Sequence, residues 1–456
     1  MSAPNADADA APATAPQEAR PAVADAAAPC PPIDAAKVAP FPVDDSVIAT
    51  PVPALVDPKA TLARFYGRVA SLARGTSTDH VRIAMYGDSH LTADAGSGRL
   101  RRQLQGRFGD AGHGFVALSQ PWAWYSHNDV HHDGTWKAFR QIATSTHKVI
   151  DGHYGFANMG SECAVPGCSA WVSTDPQPKA PIGWTASRFE LYYLRQPNGG
   201  TFDVALDGTV ARSLDTRAEA FEAAFERFDA PDAHHELKVI IKGRGPVRLF
   251  GVTLEREEPS IEVDSLGTGS LNLEQMVNVK SDTRRAQLQR RGYDLVVIQL
   301  GTNVFGTPVE NKKNAKIIVD ELRAALPAVP ILFLSPPDEL EEQFKHSDPR
   351  IVAVSQTMRA VADENDTAFW DYRGAMGGDD GLLTFIKKGA AEHDRIHLKK
   401  WGYELLADRM LHALWNGLST QLTAHPATGC PSAGESRSES DAGSPTDTSA
   451  SKTRAK

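Results

Sequence analysis

The periodicity of this chain changes twice, and the changes limit what it can fold into. Before about residue 110, and again after about residue 258, strand-like apolar runs alternate with helical segments. Between about 136 and 258 there is little helical spacing, and short alternating runs separated by turn signals take over. The first pattern belongs to a parallel sheet crossed by helices, the second to antiparallel β structure. One α/β domain interrupted by a β-rich insertion accommodates both.

In the first α/β stretch, an amphipathic helix over about 57–74 leads into a strand at 81–86. A helix then runs to Phe108 and stops at Gly109. After the insertion come strands at 261–265, 293–300, 331–334 and 368–372, with helices at 271–289, 309–326, 352–364 and 401–418 between and after them. The run at 293–300 is almost wholly apolar, as a strand covered on both faces must be. Inside the insertion, runs at 187–194, 201–206, 237–242 and 247–254 are punctuated by Asn198-Gly199-Gly200, Asp207-Gly208 and Gly243-Arg244-Gly245-Pro246. This predicts a β-sandwich or jelly roll. Residues 217–227 favour helix by propensity, or else form a loop crossing. The predicted organisation is an Ala/Pro-rich unstructured segment over 1–56, α/β domain over 57–130 and 259–422, insertion over 131–258, and an unstructured tail over 423–456.

Composition excludes little. Of 456 residues, 41% are apolar and 23% charged, ordinary for a globular protein. A net charge of −9 argues against nucleic acid as a partner, since phosphate binding wants a basic face. No stretch has the length of a membrane span. The N-terminus has neither a basic nor an apolar region of the kind a signal peptide needs. The four cysteines permit two disulfides. Cys163 and Cys168 flank a turn-like Ala-Val-Pro-Gly, and Cys30 and Cys430 lie in the two tails; four free thiols are the alternative. No cysteine or histidine grouping has structural zinc spacing.

Three strand ends carry chemistry. Gly87-Asp88-Ser89-His90 closes the first run and puts a serine hydroxyl at the C-terminal edge of the sheet, where open α/β sheets bind ligands. Gly267-Thr268-Gly269 follows the second run, and Gly301-Thr302-Asn303 the third. Asp394-Arg395-Ile396-His397 precedes the last helix, with an acid and an imidazole three residues apart. A serine needs a base to take its proton, an imidazole titrates where such a base should, and a carboxylate can hold that imidazole. A tetrahedral oxyanion needs donors. The Ser89 N–H, a glycine N–H of residues 267–269 and the Asn303 amide are the candidates. Each block alone has a structural reading, as a turn or a helix cap. Their joint occurrence in this order favours catalysis.

These blocks resemble those of the SGNH (GDSL-type) hydrolase superfamily over about 81–115 and 261–418. The resemblance implies a flavodoxin-like three-layer α/β/α fold with strand order 2-1-3-4-5. It implies Ser89 as nucleophile, His397 as base, Asp394 as its orienting acid, and Ser89, Gly269 and Asn303 as oxyanion hole, with no metal or cofactor. His90 stands where many members have leucine, and Gly-Thr-Asn-Val replaces the Asn-Asp or Asn-Glu ending. Gly-Asp-Ser-His with Gly-Thr-Asn is similar to bacterial O-acetylesterases of peptidoglycan and other polysaccharides, as is Ala375-Met376-Gly377-Gly378. Some of these carry a β-sandwich resembling a carbohydrate-binding module at the same insertion point. The implied function is a serine esterase removing O-acetyl groups from a carbohydrate polymer outside the cytoplasm, with an acetylated glycan as partner. A lipase or thioesterase, an O-acetyltransferase and a catalytically silent glycan-binding protein are the alternatives.

Other residues draw structural expectations. Trp122, Trp124, Tyr125, Trp136, Tyr154, Trp171, Trp184, Tyr192 and Tyr193 could stack on sugars, although any one of them is better read as sandwich core. The group 122–125 is the one to expect exposed. His127, His131, His132, His153 and His393 form no ligand motif and read as surface or substrate-channel residues, and Arg99, Arg101 and Arg102 as a solvated helix face.

Overall fold

The computed structural model describes residues 30–44, 46–122, 124–140, 149–175 and 182–430. The expected disorder of residues 1–29 and 431–456 concerns residues outside this range. Among the described residues the strands fall into three sheets.

The first sheet has five parallel strands. Its order is Ile261–Gly267, Val81–Gly87, Leu295–Gln299, Ile331–Leu334, Ala368–Trp370, which is 2-1-3-4-5 in chain order. Alternate residues of each strand enter different cores. Val81, Ile83, Met85, Leu295, Val297, Leu332 and Leu334 pack on one face with the helices Ala63–Ala73, Ala95–Phe108 and Lys400–Ala424. Ala84, Tyr86, Val296, Ile298, Ile331 and Phe333 pack on the other with Ser281–Arg291, Pro308–Ala325 and Pro349–Glu364. Both faces are covered, which is why these strands read as continuous apolar runs.

The insertion leaves the α/β domain after the helix ending at Phe108 and returns at Ile261. It comprises a six-stranded and a five-stranded sheet, antiparallel within each. Phe189, Leu191, Leu249 and Leu254 of one sheet share a core with Val172, Phe202, Val204 and Leu237 of the other, so the two form a sandwich. Cys163 and Cys168 are joined by a disulfide, and no cysteine of the chain is free. No helix among the described residues is long and apolar enough to cross a membrane.

Four expectations are corrected. Residues 217–227 are not helical: the strand Glu222–Ala233 pairs antiparallel with Ala186–Arg195, because cross-strand partners outweigh a weak helical preference. The helix expected over 271–289 is two, Leu273–Val277 and Ser281–Arg291, the first begun by an Asn272–Gln275 capping box. Residues 31–56 are not unstructured: Phe41 meets Trp415 edge-on at 5.0 Å, Ile48 is buried, and Val56 bridges to Phe369. A few apolar residues dock this Pro-rich stretch while the indole N–H groups of Trp415 and Trp370 donate to the Lys37 and Pro53 carbonyls. At the other end the last helix continues to Ala424, and the 428–430 turn sits on Ala70 and Ser71, so order passes residue 423.

Candidate active site

The Val81–Gly87 strand lies between the strands that end at Gly267 and Gln299. A Cβ on Gly87 would lie 2.4 Å from Leu91 Cδ1, and one on Gly267 2.6 Å from Leu91 Cβ. Only glycine lets the chain turn this tightly and drop Leu91 between the two strand ends. A single 3₁₀ turn, Ser89–Leu91, follows, with the Asp88 carboxylate accepting from the His90 N–H at 3.1 Å. The turn lifts Ser89 to the half-buried rim of the sheet.

The Asp394–His397 loop reaches this rim. Asp394 Oδ1 accepts from the Ile396 and His397 N–H groups at 3.0 and 2.8 Å, and Arg395 takes a φ of 73° to close the turn. Asp394 Oδ2 is 2.7 Å from His397 Nδ1, and His397 Nε2 is 2.8 Å from Ser89 Oγ. Facing a carboxylate, Nδ1 carries the hydrogen, so Nε2 accepts from the serine hydroxyl. Burial pushes the Asp394 carboxyl up, but the donors from His397 and Ile396 outweigh it and hold the group below the usual carboxylate range.

Asn303 follows the neighbouring strand. Its Nδ2 is buried and has no hydrogen-bond partner among the described residues. An amide donor left unpaired in a cleft is costly unless something else accepts from it. Gly269 lies buried in the turn after Gly267. Gly267 itself is explained by its packing on Leu91.

The family model for GDSL-like Lipase/Acylhydrolase matches residues 243–405. The structure matches one described as "Peptidoglycan O-acetylesterase in action, 5 min" with a TM-score of 0.68 and 22% identity, covering 80% of this chain and 99% of that one. The second part of the α/β domain is thus similar to GDSL-like lipases and acylhydrolases, and the fold to that of the esterase structure. Also similar, with a TM-score of 0.27 and 12% identity over 57% of this chain and 95% of the other, is a family two carbohydrate esterase from Clostridium thermocellum in complex with cellohexaose. No curated protein sequence matches.

Behind Ser89, His397 and Asp394 the α/β domain holds a polar relay that sequence reading missed. The Leu398 N–H donates to Tyr403 Oη at 3.2 Å, leaving the Tyr403 hydroxyl to donate to His90 Nδ1 at 2.9 Å. His90 Nε2–H then donates to Thr302 Oγ1 at 3.1 Å, and Thr302 bonds to Glu339. Arg350 completes it, donating to the Thr302 carbonyl at 3.1 Å and to Glu339 at 2.5 Å. One buried imidazole thereby ties the Ser89 loop, the Asn303 loop and the helix after His397 together. Burial, helped by nearby His397, pushes the His90 pKa down to about 3, so the ring is neutral. Burial pushes Asp88 up to about 6 against its backbone donors and His397, and Glu339 up to about 7 against Arg350. The one sequence signal was His90 in place of an apolar residue.

Several side-chain expectations change. Arg101 is not solvated: it is buried and bidentate to buried Asp94 at 2.9 and 3.0 Å, whereas Arg99 pairs with Asp408. His127 and His153 are buried, not on the surface; His127 Nδ1 lies 3.7 Å from Asp94, and His153 bonds to Thr283. Of the nine aromatic candidates, Trp124 and Trp184 are exposed; within 122–125, Trp122 and Tyr125 are buried, and Ala123 lies outside the described residues. Exposed Phe305, Phe344 and Trp401 had not been singled out. Arg395 reaches over Phe344, and Trp401 begins the helix after His397.

Among the described residues one group has metal-like composition, His80, Glu255 and Glu262. Its chemistry is that of an ion-pair network. Arg82 and Arg291 both lie 2.9 Å from Glu262 Oε2, and the His80 nitrogens are occupied by the Ser260 N–H and the Arg256 carbonyl.

Proposed function

We propose that the protein is a serine esterase that removes O-acetyl groups from a carbohydrate polymer, with Ser89 as nucleophile, His397 as general base and Asp394 as its orienting carboxylate. One observation carries this reading: the unbroken line Asp394 Oδ2, His397 Nδ1, His397 Nε2, Ser89 Oγ, with steps of 2.7 and 2.8 Å between groups. Ser89 Oγ attacks the acetyl carbonyl as its proton passes to His397 Nε2. Charge develops on the carbonyl oxygen, which accepts from the Ser89 and Gly269 N–H groups and from Asn303 Nδ2. Collapse breaks the ester C–O bond, and His397 returns the proton to the departing sugar hydroxyl. Water, deprotonated by the same imidazole, then attacks the acetyl-serine and releases acetate. The protein groups suffice for every proton transfer, so the mechanism calls for no metal or cofactor.

An acetylated glycan as substrate is supported by the likeness to a structure described as a peptidoglycan O-acetylesterase, which spans both the catalytic domain and the sandwich. Polymers of that kind lie outside the cytoplasm, and the Cys163–Cys168 disulfide suits an oxidising compartment. The test is acetate release from a panel of acetylated glycans by the wild type and Ser89→Ala in parallel. Release by the wild type that falls at least about a thousandfold in the variant is expected. Equal release by both, or none by either, overturns the reading.

A further inference from the structure

The loops after Gly267 and after Gln299 flank the Ser89 loop on either side, because their strands flank its strand in the sheet. Between them opens a cavity of about 500 Å³. One wall is Asn272, Leu273 and Glu274; the other is Val304, Phe305 and the first turns of the helix Pro308–Ala325. Val304 and Phe305 directly follow Asn303 in the chain, so the loop that carries the unpaired Nδ2 goes on to form this wall.

Phe305 is 71% exposed. A single open phenyl ring is ordinary on a protein surface; this one counts because it forms part of a cavity wall. It is not loose, because the Arg350 guanidinium lies 5.6 Å from the ring centroid and is itself tied to Glu339 and the Thr302 carbonyl. Arg350 is not part of the cavity wall, and the ring is. Around the ring the wall carries Glu274, Asn311, Lys313 and Asn314. A flat apolar surface rimmed by amide, carboxylate and ammonium groups matches a pyranose, which stacks its C–H face and directs hydroxyls outward. A long acyl chain would want walls that stay apolar, and these do not.

We propose that this cavity is a subsite for a sugar unit of the polymer, next to the unit whose acetyl group reaches Ser89, with Phe305 as stacking platform and Glu274, Lys313 and Asn314 as hydroxyl partners. The proposal rests on the glycan-esterase reading. It makes Phe305 a determinant of preference for polymer over small acetate esters.

The test compares Phe305→Ala and Phe305→Trp with the wild type on the acetylated polysaccharide it deacetylates best and on p-nitrophenyl acetate, which is too small to span both sites. The ratio of polymer to aryl-acetate kcat/KM is expected to fall about tenfold or more in Phe305→Ala, chiefly through KM, and to recover in Phe305→Trp. The aryl-acetate rate reports on folding and on the triad within the same samples. An unchanged ratio in Phe305→Ala, with the wild type active on glycan, overturns the subsite and leaves the esterase reading standing. A selective loss on octanoyl esters, with the acetyl-polymer rate kept, makes the cavity an acyl-chain site and likewise overturns it. A wild type that releases acetate from no glycan removes both.

Discussion

Replacing His90 by leucine tests whether the buried imidazole is neutral. Leucine is close to it in volume but can neither accept from the Tyr403 hydroxyl nor donate to Thr302. Two buried hydroxyls each lose a partner, which costs about 2–4 kcal/mol of stability at pH 7. The pH dependence of that cost is the sharper quantity. In the folded protein burial and His397 hold the His90 pKa down to about 3, against about 6.5 for a free histidine. Between those values the unfolded chain binds a proton that the folded protein refuses. Wild-type stability therefore falls as pH drops from about 6.5 toward 3. At pH 5 this amounts to about 2 kcal/mol relative to pH 7. The variant lacks the group and escapes that loss. Asp88 and Glu339, raised to about 6 and about 7, titrate in the opposite sense, but both proteins carry them. Urea unfolding of both proteins at pH 7 and pH 5, followed by far-UV circular dichroism, measures the difference of differences. The variant's deficit is expected to shrink by about 2 kcal/mol at the lower pH. A deficit that stays constant within about 0.5 kcal/mol refutes a neutral His90 and the donor directions built on it.

Three further outcomes can be measured. Asn303→Ala should lower kcat on an aryl acetate by about 10²–10³-fold with little change in melting temperature, since its Nδ2 holds no other group. Asp394→Asn should lower kcat by about 10⁴-fold; the wild-type carboxyl sits below its ordinary value of about 4, so activity lost above that pH on acidification is not its protonation. The Cys163–Cys168 disulfide closes only a short loop, so removing it with Cys163→Ser and Cys168→Ser together should cost at most about 2 kcal/mol by calorimetry, with kcat on an aryl acetate unchanged.

The features legible in the sequence are those that depend on local pattern. Leu295, Val296, Val297 and Ile298 read as a doubly covered strand because every one of them is buried on one face or the other. The glycines at 87 and 267 marked strand ends because a side chain there would strike Leu91. Asp394 and His397 share one turn, so their spacing already allowed the 2.7 Å bond between them. What stayed hidden depends on distant partners. Thr302 and Tyr403 are ordinary residues until the fold brings both to His90, 212 and 313 positions away in the chain. Arg101 reads as a surface residue until Asp94, in a left-handed conformation at the helix start, turns its carboxylate inward. Nothing in the local pattern singles out Phe305, and only the path of the loop leaves it open.

The junction between the two domains is a case where partners, not pattern, decide stability. Arg291, at the end of its helix, bonds to Asp264 at 2.7 Å and Glu262 at 2.9 Å on the second core strand, and to Glu255 at the last turn of the insertion. Asp264 also accepts from the Phe115 N–H at 2.8 Å, on the strand by which the chain enters the insertion. One guanidinium thus joins the exit, the return and the core. Arg82 shares the work from within and the less buried Arg188 reaches Glu255 at 3.9 Å, so two buried cations face three carboxylates. The surplus negative charge falls on Glu262, which burial and the nearby Glu255 push upward, while Arg291 and Arg82 hold Glu255 down despite its burial. Arg291→Met keeps much of the volume and removes the charge. Breaking a buried ion pair from one side costs about 3–5 kcal/mol, because the stranded carboxylates remain. In the variant their pKa values rise above the unfolded ones, so it regains stability as pH falls, while the wild type, with Glu255 and Asp264 lowered, loses it. The gap between the two should therefore be widest near neutrality and narrow below about pH 5, and limited proteolysis at neutral pH should cut the variant first within 109–116 or 255–261. A gap that persists unchanged into acid would mean that Arg291 acts through packing and that its charge contributes nothing to the joint.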